Sequence, residues 1–252
     1  MSENIKNEEI SSLDDAMRKY QISQEEQERI GRNINELMLY QKSPMENPTA
    51  IIDLAPPGSG KTGLNGYALS QFENANLVIV NNDEFKPFYP KANEIAKKYP
   101  EYYIKVTNES SKVWTDNLLY TAIEKRFNVL YEGTGRKLIL FKKMIEKLKG
   151  YKIIVRAMAV NDLNCLMSII ERYQGQINEK GWGRIVSRET FYKAYQTEMI
   201  DTIEFLEKSG LVDCVEVYMR GKTPTEPIRI YNSQTREFDN VRSAINYRKR
   251  KR

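Results

Sequence analysis

Short apolar runs alternate with longer amphipathic segments between about residues 50 and 219, and this alternation is the main structural signal in the sequence. The apolar runs predict five strands, at residues 50–55, 77–81, 128–132, 152–160 and 213–219. The amphipathic segments predict helices at about 61–72, 109–126, 138–149, 162–174 and 188–209. Strands that alternate with helices are joined by right-handed crossovers. The prediction is therefore an α/β fold, with a mostly parallel sheet and helices on both faces.

The ends of the chain are predicted from weaker patterns. Ser23 and Glu26 have capping-box spacing before an apolar helical repeat, which predicts a helix ahead of the first strand. Residues 228–231 follow a turn and predict a short antiparallel edge strand. The first residues are polar and predict a mobile arm or a frayed helix. These patterns divide the chain into an N-terminal arm, a folded domain and a basic C-terminal tail, at residues 1–22, 23–240 and 241–252.

Composition and charge restrict the possible chemistry. The chain has no histidine, so Ser-His-Asp and Cys-His catalytic units and His-ligated metals are excluded, and proton transfer falls to carboxylate, lysine or tyrosine. The formal net charge of +5 comes from residues 248–252, which leaves a neutral body. The sequence has no apolar run long enough to span a membrane, no signal-peptide pattern, and two cysteines in apolar stretches. We therefore expect a cytoplasmic protein without a membrane partner.

A glycine-rich loop lies between the first predicted strand and the next helix. Its sequence is Ala55-Pro-Pro-Gly-Ser-Gly-Lys-Thr62, which we call the P-loop. A loop of this kind turns backbone N–H groups toward phosphates, and the helix N-terminus adds a favourable dipole. Lys61 is expected to reach the terminal phosphates, and the Thr62 hydroxyl is expected to bind Mg²⁺. The candidate ATP-binding residues of the loop are Pro57, Gly58, Ser59, Gly60, Lys61 and Thr62.

Polar side chains follow two other predicted strands. Ligands of parallel sheets bind beyond the carboxyl ends of the strands, so these positions are candidates for the same site. Asp83 follows the second strand and suits a general base for a substrate hydroxyl, a partner of Mg²⁺, or an N-cap. Glu132, Thr134 and Arg136 follow the third strand and suit binding of a hydroxylated substrate, or simply turn formation.

A glycine- and arginine-rich segment at residues 171–188 resembles a lid. Small-molecule kinases close such segments over the triphosphate, where arginines neutralise the transferring phosphoryl group. Arg172 and Arg184 are the candidates for this role. Arg188 is left open between this role and a solvated surface position.

Taken together, these motifs resemble the zeta toxin family of bacterial toxin–antitoxin systems, which are P-loop kinases of UDP-N-acetylglucosamine. The resemblance runs from the helix near Ser23 to about Asn232. It rests on the P-loop and on five further strings: Pro48-Thr-Ala, Asn82-Asp-Glu-Phe-Lys with Tyr89-Pro90, Tyr131-Glu-Gly-Thr-Gly-Arg136, Met158-Ala-Val with Ile170-Glu-Arg-Tyr173, and Lys208-Ser-Gly-Leu.

The resemblance implies a role for each matching position. Asp83 falls at the catalytic base, which takes the proton of the sugar 3′-hydroxyl as it attacks the γ-phosphate of ATP. Glu132 and Thr134 fall at substrate-binding positions, and Asp116 falls where the family often has a substrate-binding Glu. Arg172 and Arg184 match arginines that contact the ATP phosphates. The resemblance also implies Mg²⁺, a nucleotide-sugar substrate and a small helical antitoxin that occludes the ATP site.

Three positions depart from the family pattern: Asp116 for Glu, Tyr89 for His and Ala55 for Gly. The first two lie on the expected substrate side. They motivate an alternative acceptor, such as another nucleotide sugar, a dinucleotide or a small hydroxylated metabolite. A third hypothesis is a P-loop protein whose basic tail, Tyr247 with the five residues after it, binds nucleic acid; the neutral body argues against it.

Overall fold

The strands form one sheet, and its order places the first strand next to the centre. The computed structural model describes residues 10–135, 137–195, 198–235 and 237–249. The strands are β1 (Thr49–Leu54), β2 (Val78–Val80), β3 (Val129–Gly133), β4 (Lys152–Met158), β5 (Cys214–Met219) and β6 (Ile228–Asn232). The order is β2-β3-β1-β4-β5-β6, with β1 to β5 parallel and β6 antiparallel to β5. The predicted α/β fold with a mostly parallel sheet is therefore confirmed, as is the antiparallel edge strand.

Eleven α-helices lie in the described part of the chain. They are α1 (Leu13–Lys19), α2 (Gln24–Leu39), α3 (Lys61–Ser70), α4 (Asn82–Phe85), α5 (Ala92–Lys98), α6 (Pro100–Glu124), α7 (Leu138–Lys147), α8 (Asp162–Lys180), α9 (Arg188–Tyr195), α10 (Glu198–Ser209) and α11 (Val241–Asn246). Within the described ranges, none of these helices is both long and apolar enough to cross a membrane.

Alternate residues of β1 pack on opposite faces of the sheet, as the two-residue period of a strand requires. Ile51 lies in a small buried cluster with Ala68 of α3. Ile52 belongs instead to the main core, together with Trp114 and Leu118 of α6. Helices therefore cover both faces, as the sequence predicts.

Helix boundaries differ from the predicted ones where local signals are ambiguous. α6 begins at Pro100, a residue suited to the first helical turn, and Tyr103 and Val106 of the added segment are buried. α8 continues through Gly175 and ends before Gly181, whose φ of +73° gives the left-handed cap. The first half of the predicted lid is thus helical. The predicted helix 188–209 is two helices, α9 and α10, and residues 196–197 between them lie outside the described residues.

The N-terminal segment contains a helix that packs on the domain, so of the two expectations, a mobile arm or a frayed helix, the mobile arm is wrong for residues 10–22. Ala16 of α1 is fully buried and Tyr20 is 4% exposed. The Tyr89 hydroxyl donates a buried hydrogen bond to the Tyr20 carbonyl at 2.7 Å, and the Tyr20 hydroxyl donates to Glu94 at 3.1 Å. Tyr89, one of the departures from the family pattern, therefore anchors the N-terminal segment. Residues 1–9 lie outside the described part.

The C-terminal segment is also part of the fold, which corrects the expected separate tail for residues 241–248. Val241, Ala244 and Ile245 of α11 are buried in the main core. Arg248 is 2% exposed; its guanidinium donates to the Tyr195 carbonyl at 2.6 Å and lies 3.7 Å from the centre of the Tyr195 ring. At least one positive charge of the predicted basic tail is therefore buried inside the protein.

Replacing Tyr89 by Phe tests the N-terminal anchor. We expect Tyr89→Phe to lower the free energy of unfolding by about 1–2 kcal/mol, because it leaves a buried carbonyl without its donor. Urea denaturation measures this change. Tyr40→Phe is the matched control, since Tyr40 is 70% exposed, and it should change stability by less than about 0.5 kcal/mol. Equal stabilities of the two variants would refute the anchor.

Candidate active site

A cavity of about 1020 Å³ opens at the carboxyl ends of the parallel strands. It is lined by the P-loop and the start of α3, by the first turn of α4, and by the end of β3. The wall also includes parts of α8, of the segment that follows α8, and of the loop between β5 and β6. The cavity lies where ligands of open parallel sheets bind, and its volume suits a nucleotide-sized ligand.

The backbone of the P-loop depends on glycine at two positions. Gly58 and Gly60 have φ of +73° and +102°, and Gly60 caps the N-terminus of α3. A Cβ atom on Gly58 would lie 2.2 Å from the Cys165 carbonyl oxygen and 2.9 Å from Ile169, both on α8. Glycine at 58 is therefore required by conformation and by packing. The N–H groups at the start of α3 face the cavity as a ready anion-binding site.

Lys61 is folded back onto the loop. Its Nζ donates to the carbonyls of Ala55 at 3.0 Å and Pro56 at 3.2 Å, and it lies 4.0 Å from Glu132 Oε1. Burial lowers the pKa of Lys61, and the Glu132 carboxylate opposes that shift. The Asn65 side chain donates to Glu132 Oε2 at 2.8 Å. Glu132 is thus fixed beside the expected phosphate site.

The Asp83 carboxylate is held by two cations. The N-cap of α4 is Asn81, whose side chain accepts from the Asp83 N–H at 2.9 Å, so Asp83 itself is not the cap. Lys86 Nζ contacts Asp83 Oδ1 at 2.8 Å, and the Arg184 guanidinium donates to Oδ2. Burial would raise the pKa of Asp83, but Arg184 and Lys86 outweigh it and hold the pKa well below its usual range. The side chain keeps 47% exposure, so the carboxylate is accessible to a ligand.

Two arginines from the predicted lid face the same cavity. Arg172 lies on α8, and burial followed by the neighbouring Arg184 charge lowers its pKa. Arg184 follows α8, and its backbone N–H donates to Gln176 at 2.8 Å. Next to it, Trp182 packs on Tyr103 of α6 with ring centres 5.1 Å apart. The segment that carries Arg184 is therefore packed against two helices.

Most of the candidate residues line the cavity, and a few do not. Those that line it are Pro57, Gly58, Gly60, Lys61, Thr62, Asp83, Glu132, Thr134, Arg172 and Arg184. Ser59 is fully buried within the loop. Asp116 lies on α6 and is not among the described lining residues; burial raises its pKa. Arg136 lies outside the described residues, and the Arg188 guanidinium lies 5.7 Å from the centre of the Tyr192 ring.

Several lining residues were missed by sequence reasoning. Lys86 lines the cavity one turn after Asp83, and Arg220 and Lys222 line it directly after β5. The rule applied to the second and third strands, that ligands bind beyond strand ends, would have identified Arg220 if it had been applied to β5. For Lys86 the available signals are its spacing of three residues from Asp83 and its place at the end of the Asn82-Asp-Glu-Phe-Lys string.

A row of charged residues crosses the sheet beneath the cavity. Asp53 of β1 is in register with Glu132 of β3 and with Arg156 of β4, and Arg156 is in register with Glu216 of β5. Arg156 Nε pairs with Glu216 at 3.1 Å, and the Tyr218 hydroxyl donates to the same carboxylate at 2.9 Å. A network of charged side chains is tolerated in a core only when nearly all of its polar atoms have hydrogen-bond or ion-pair partners.

Asp53 is the unsatisfied member of this row. It is fully buried, and among the described residues neither carboxylate oxygen has a hydrogen-bond donor. Burial raises the pKa of Asp53 to about 7, against the opposing charges of Arg156 and Lys61. Asp53 therefore changes its protonation state near neutral pH.

Comparisons with known proteins agree on one family. The family model described as Zeta toxin matches residues 34–236. A Toxin zeta of Enterococcus hirae is 28% identical over 208 residues, which cover 81% of this chain and 70% of that protein. A Toxin PezT of Streptococcus pneumoniae serotype 4 is 24% identical over 197 residues, 77% of each chain.

Solved structures share the fold. A chain from the PezAT chromosomal toxin-antitoxin system of Streptococcus pneumoniae superposes with a TM-score of 0.74 and 19% identity, over 89% of this chain and 86% of that one. A chain from AvrRxo1-ORF1:-ORF2 with ATP gives a TM-score of 0.57 and 13% identity, over 93% of this chain and 75% of that one.

The buried carboxyl of Asp53 predicts a pH-dependent stability. Its pKa is about 7 in the folded protein and about 3.9 when unfolded, so the folded state binds more protons between these values. Stability contributed at this site is therefore full below the unfolded pKa and is lost progressively as the pH rises to about 7. Asp53→Asn removes the dependence, and we expect it to be more stable than the parent protein at pH 8, by up to about 4 kcal/mol, and nearly equal at about pH 3.5.

Urea denaturation across this pH range measures the difference. Asp15→Asn is a control of opposite sign, because hydrogen bonds from Ser12, Ser11 and Arg18 lower the pKa of Asp15 to about 2. The Asp15 contribution is present above pH 4 and lost as the pH falls. Parallel stability profiles of the parent and Asp53→Asn would contradict a titrating carboxyl at position 53.

Proposed function

The chain belongs to the zeta toxin family, and from this premise we propose that it is an ATP-dependent kinase of UDP-N-acetylglucosamine. It transfers the γ-phosphate of ATP to the 3′-hydroxyl of the sugar and so acts as a toxin that blocks cell-wall precursor synthesis. One observation carries this proposal: a carboxylate base, Asp83, faces the same cavity as the P-loop lysine and the arginines at 172 and 184.

The nucleotide side of the cavity suits ATP. The N–H groups of the P-loop and the start of α3 bind the phosphates, and Lys61 exchanges its contacts with the Ala55 and Pro56 carbonyls for phosphate oxygens. Arg172 and Arg184 neutralise the charge that develops on the transferring phosphoryl group. ATP is also the nucleotide named for the AvrRxo1 complex that shares this fold.

Asp83 is the proposed general base, and its activation depends on Arg184. Arg184 and Lys86 both pair with the Asp83 carboxylate, which makes it a weak base. When the triphosphate draws Arg184 away, one carboxylate oxygen becomes free and its pKa rises. The acceptor hydroxyl then gives its proton to Asp83, its oxygen bonds to the γ-phosphorus, and the bond from that phosphorus to the leaving oxygen of ADP breaks.

Mg²⁺ fits the oxygen donors of this site. Thr62 is exposed at the start of α3 and lines the cavity. In the described part of the chain, no group of three or more acidic or cysteine side chains could hold a metal by itself. This suits Mg²⁺, which binds few protein ligands and keeps phosphate oxygens and waters. Bound through Thr62 and the phosphates, it would neutralise phosphate charge.

The acceptor side is assigned to the end of β3. Glu132 and Thr134 line the cavity, and we propose that they and Arg136 bind hydroxyls of the nucleotide sugar. The alternative acceptor remains open because of Asp116. The Asp116 carboxylate is not among the described lining residues, so the site is also compatible with a different nucleotide sugar, a dinucleotide or a small metabolite. Nucleic-acid binding by the basic tail is less favoured, because Arg248 is buried against Tyr195.

A small helical antitoxin is the proposed protein partner. The PezAT chromosomal system, a chain of which shares this fold, is a toxin-antitoxin system. If the partner covers the cavity of this chain, ATP must compete with it. We expect ATP at about ten times its Kd to weaken antitoxin binding about tenfold in a titration calorimeter. An antitoxin affinity that does not depend on ATP would refute occlusion of the cavity.

The product of the reaction tests the proposed function. Incubation with ATP, Mg²⁺ and UDP-N-acetylglucosamine should give a nucleotide sugar one phosphate heavier, detected by mass spectrometry. A parallel incubation with a metabolite extract and labelled ATP identifies another acceptor if there is one. A folded sample that binds ATP but phosphorylates no UDP-N-acetylglucosamine would overturn this acceptor.

Two variants separate chemistry from nucleotide binding in the same assay. Asp83→Asn should lower kcat by about 10²–10⁴-fold, because the base is lost, while ATP binding is retained or becomes tighter, because Arg184 no longer has to leave a carboxylate. Lys61→Ala should weaken both ATP binding and transfer, because it removes a phosphate contact. An Asp83→Asn protein with normal kcat would remove Asp83 from the mechanism.

A further inference from the structure

Arg220 connects three parts of the site that are distant in sequence. It follows directly after β5, at the same edge of the sheet as the cavity. Its guanidinium donates to the carbonyl oxygen of Gly58, its Nε donates to the carbonyl of Ser59 at 3.2 Å, and the same guanidinium donates to Ser168 Oγ of α8 at 2.9 Å. One side chain therefore joins the end of β5 to the P-loop and to α8.

The two carbonyl contacts fix the direction of two peptide groups. In a trans peptide the N–H points opposite to the carbonyl, so holding the carbonyls of Gly58 and Ser59 also sets the N–H groups of Ser59 and Gly60. The Ser59 N–H donates to the Pro56 carbonyl at 3.3 Å within the loop, and the Gly60 N–H belongs to the part of a P-loop that cradles phosphates. Arg220 thus orients a phosphate-binding group from the side of the loop opposite the phosphate.

The loop needs such support because of its composition. Gly58 and Gly60 both adopt left-handed backbone angles and are the most freely rotating residues when unsupported. If a loop becomes ordered only when its ligand binds, the free-energy cost of ordering lowers the affinity for that ligand. A preorganised loop avoids this cost. The contact with Ser168 extends the support to α8, which carries Arg172 one turn further on.

The backbone of Arg220 is itself held by close packing. The loop that it begins, residues 220–227, lies directly on α3. A Cβ on Gly63 would lie 2.0 Å from the Pro224 carbonyl oxygen, and one on Gly66 would lie 3.3 Å from Thr225. A Cβ on Gly221 would meet the Glu226 carbonyl at 1.7 Å. These glycines let the loop and the helix approach closely, so Arg220 is attached to a rigid element.

We infer that Arg220 is a positioning residue that preorganises the P-loop for the β-phosphate of the nucleotide. The inference rests on the proposed function only in taking ATP as the ligand. Because the β-phosphate is common to ATP and ADP, the effect of Arg220 is equal for the two nucleotides. It is independent of the acceptor.

The test compares variants of the full-length protein by titration calorimetry with ATP and with ADP, without acceptor. Arg220→Met should raise both Kd values by about tenfold, because two charge-assisted hydrogen bonds to the loop are lost. Arg220→Lys should be intermediate, since a lysine reaches one carbonyl but not two. Ser168→Ala should weaken binding about twofold, because it removes one anchor of the guanidinium.

Arg229→Met is the matched control. Arg229 lies on β6 of the same hairpin and pairs with Glu216 at 3.1 Å, but it is not among the described residues that line the cavity. It should lower thermal stability without changing nucleotide affinity. This separates loss of the hairpin's stability from loss of loop positioning.

The outcomes distinguish the inference from the proposed function. Equal nucleotide affinities of the parent and Arg220→Met would overturn the inference alone. A tighter Ser168→Ala variant would also overturn it, because it would mean that Arg220 leaves the loop to bind phosphate directly. A parent protein that binds ATP but transfers no phosphate would overturn the proposed kinase and leave the inference standing. A parent protein that binds no ATP would overturn both.

Discussion

The close contact between the P-loop and α8 is the constraint on which the rest of the site depends. Gly58 approaches the Cys165 carbonyl so closely that a single methyl group would separate the two elements. This contact sets where α8 lies relative to the sheet, and α8 in turn carries Arg172 and Ser168. The P-loop, one arginine that lines the cavity and the anchor of Arg220 are therefore placed by one backbone contact.

The cations of the site pair with carboxylates of the same site. Lys61 lies beside Glu132, and Arg184 and Lys86 hold Asp83. A triphosphate brings several negative charges into this arrangement, so the cations must exchange carboxylate partners for phosphate ones. Binding thus frees the carboxylates that the proposed chemistry and substrate recognition need. Each cation is largely buried, so it needs an anionic partner and is attracted strongly to one. A phosphate oxygen can therefore replace the carboxylate.

The sequence was most informative where a local pattern has one physical solution. The alternation of strand and helix leads to the parallel sheet, and the P-loop string leads to a loop at a helix N-terminus. Asp83 and Glu132 were found because parallel strands end at one edge. Asp116 was placed by resemblance, and the geometry of α6 keeps it off the described lining of the cavity.

Long-range packing could not be predicted in the same way. The predicted strand 50–55 places Asp53 in a buried element, but the charged groups around it come from other strands: Glu132 of β3, Arg156 of β4 and Glu216 of β5. Arg248 belongs to a run that resembles a solvated tail until Tyr195 is known to lie beside it. That last contact has a consequence for folding. The Tyr195 carbonyl gains its buried partner only when residue 248 packs back onto α9, so the residues around α9 cannot complete this packing by themselves. The wall of the cavity nearest Thr190 therefore depends on a contact that spans 53 residues of sequence.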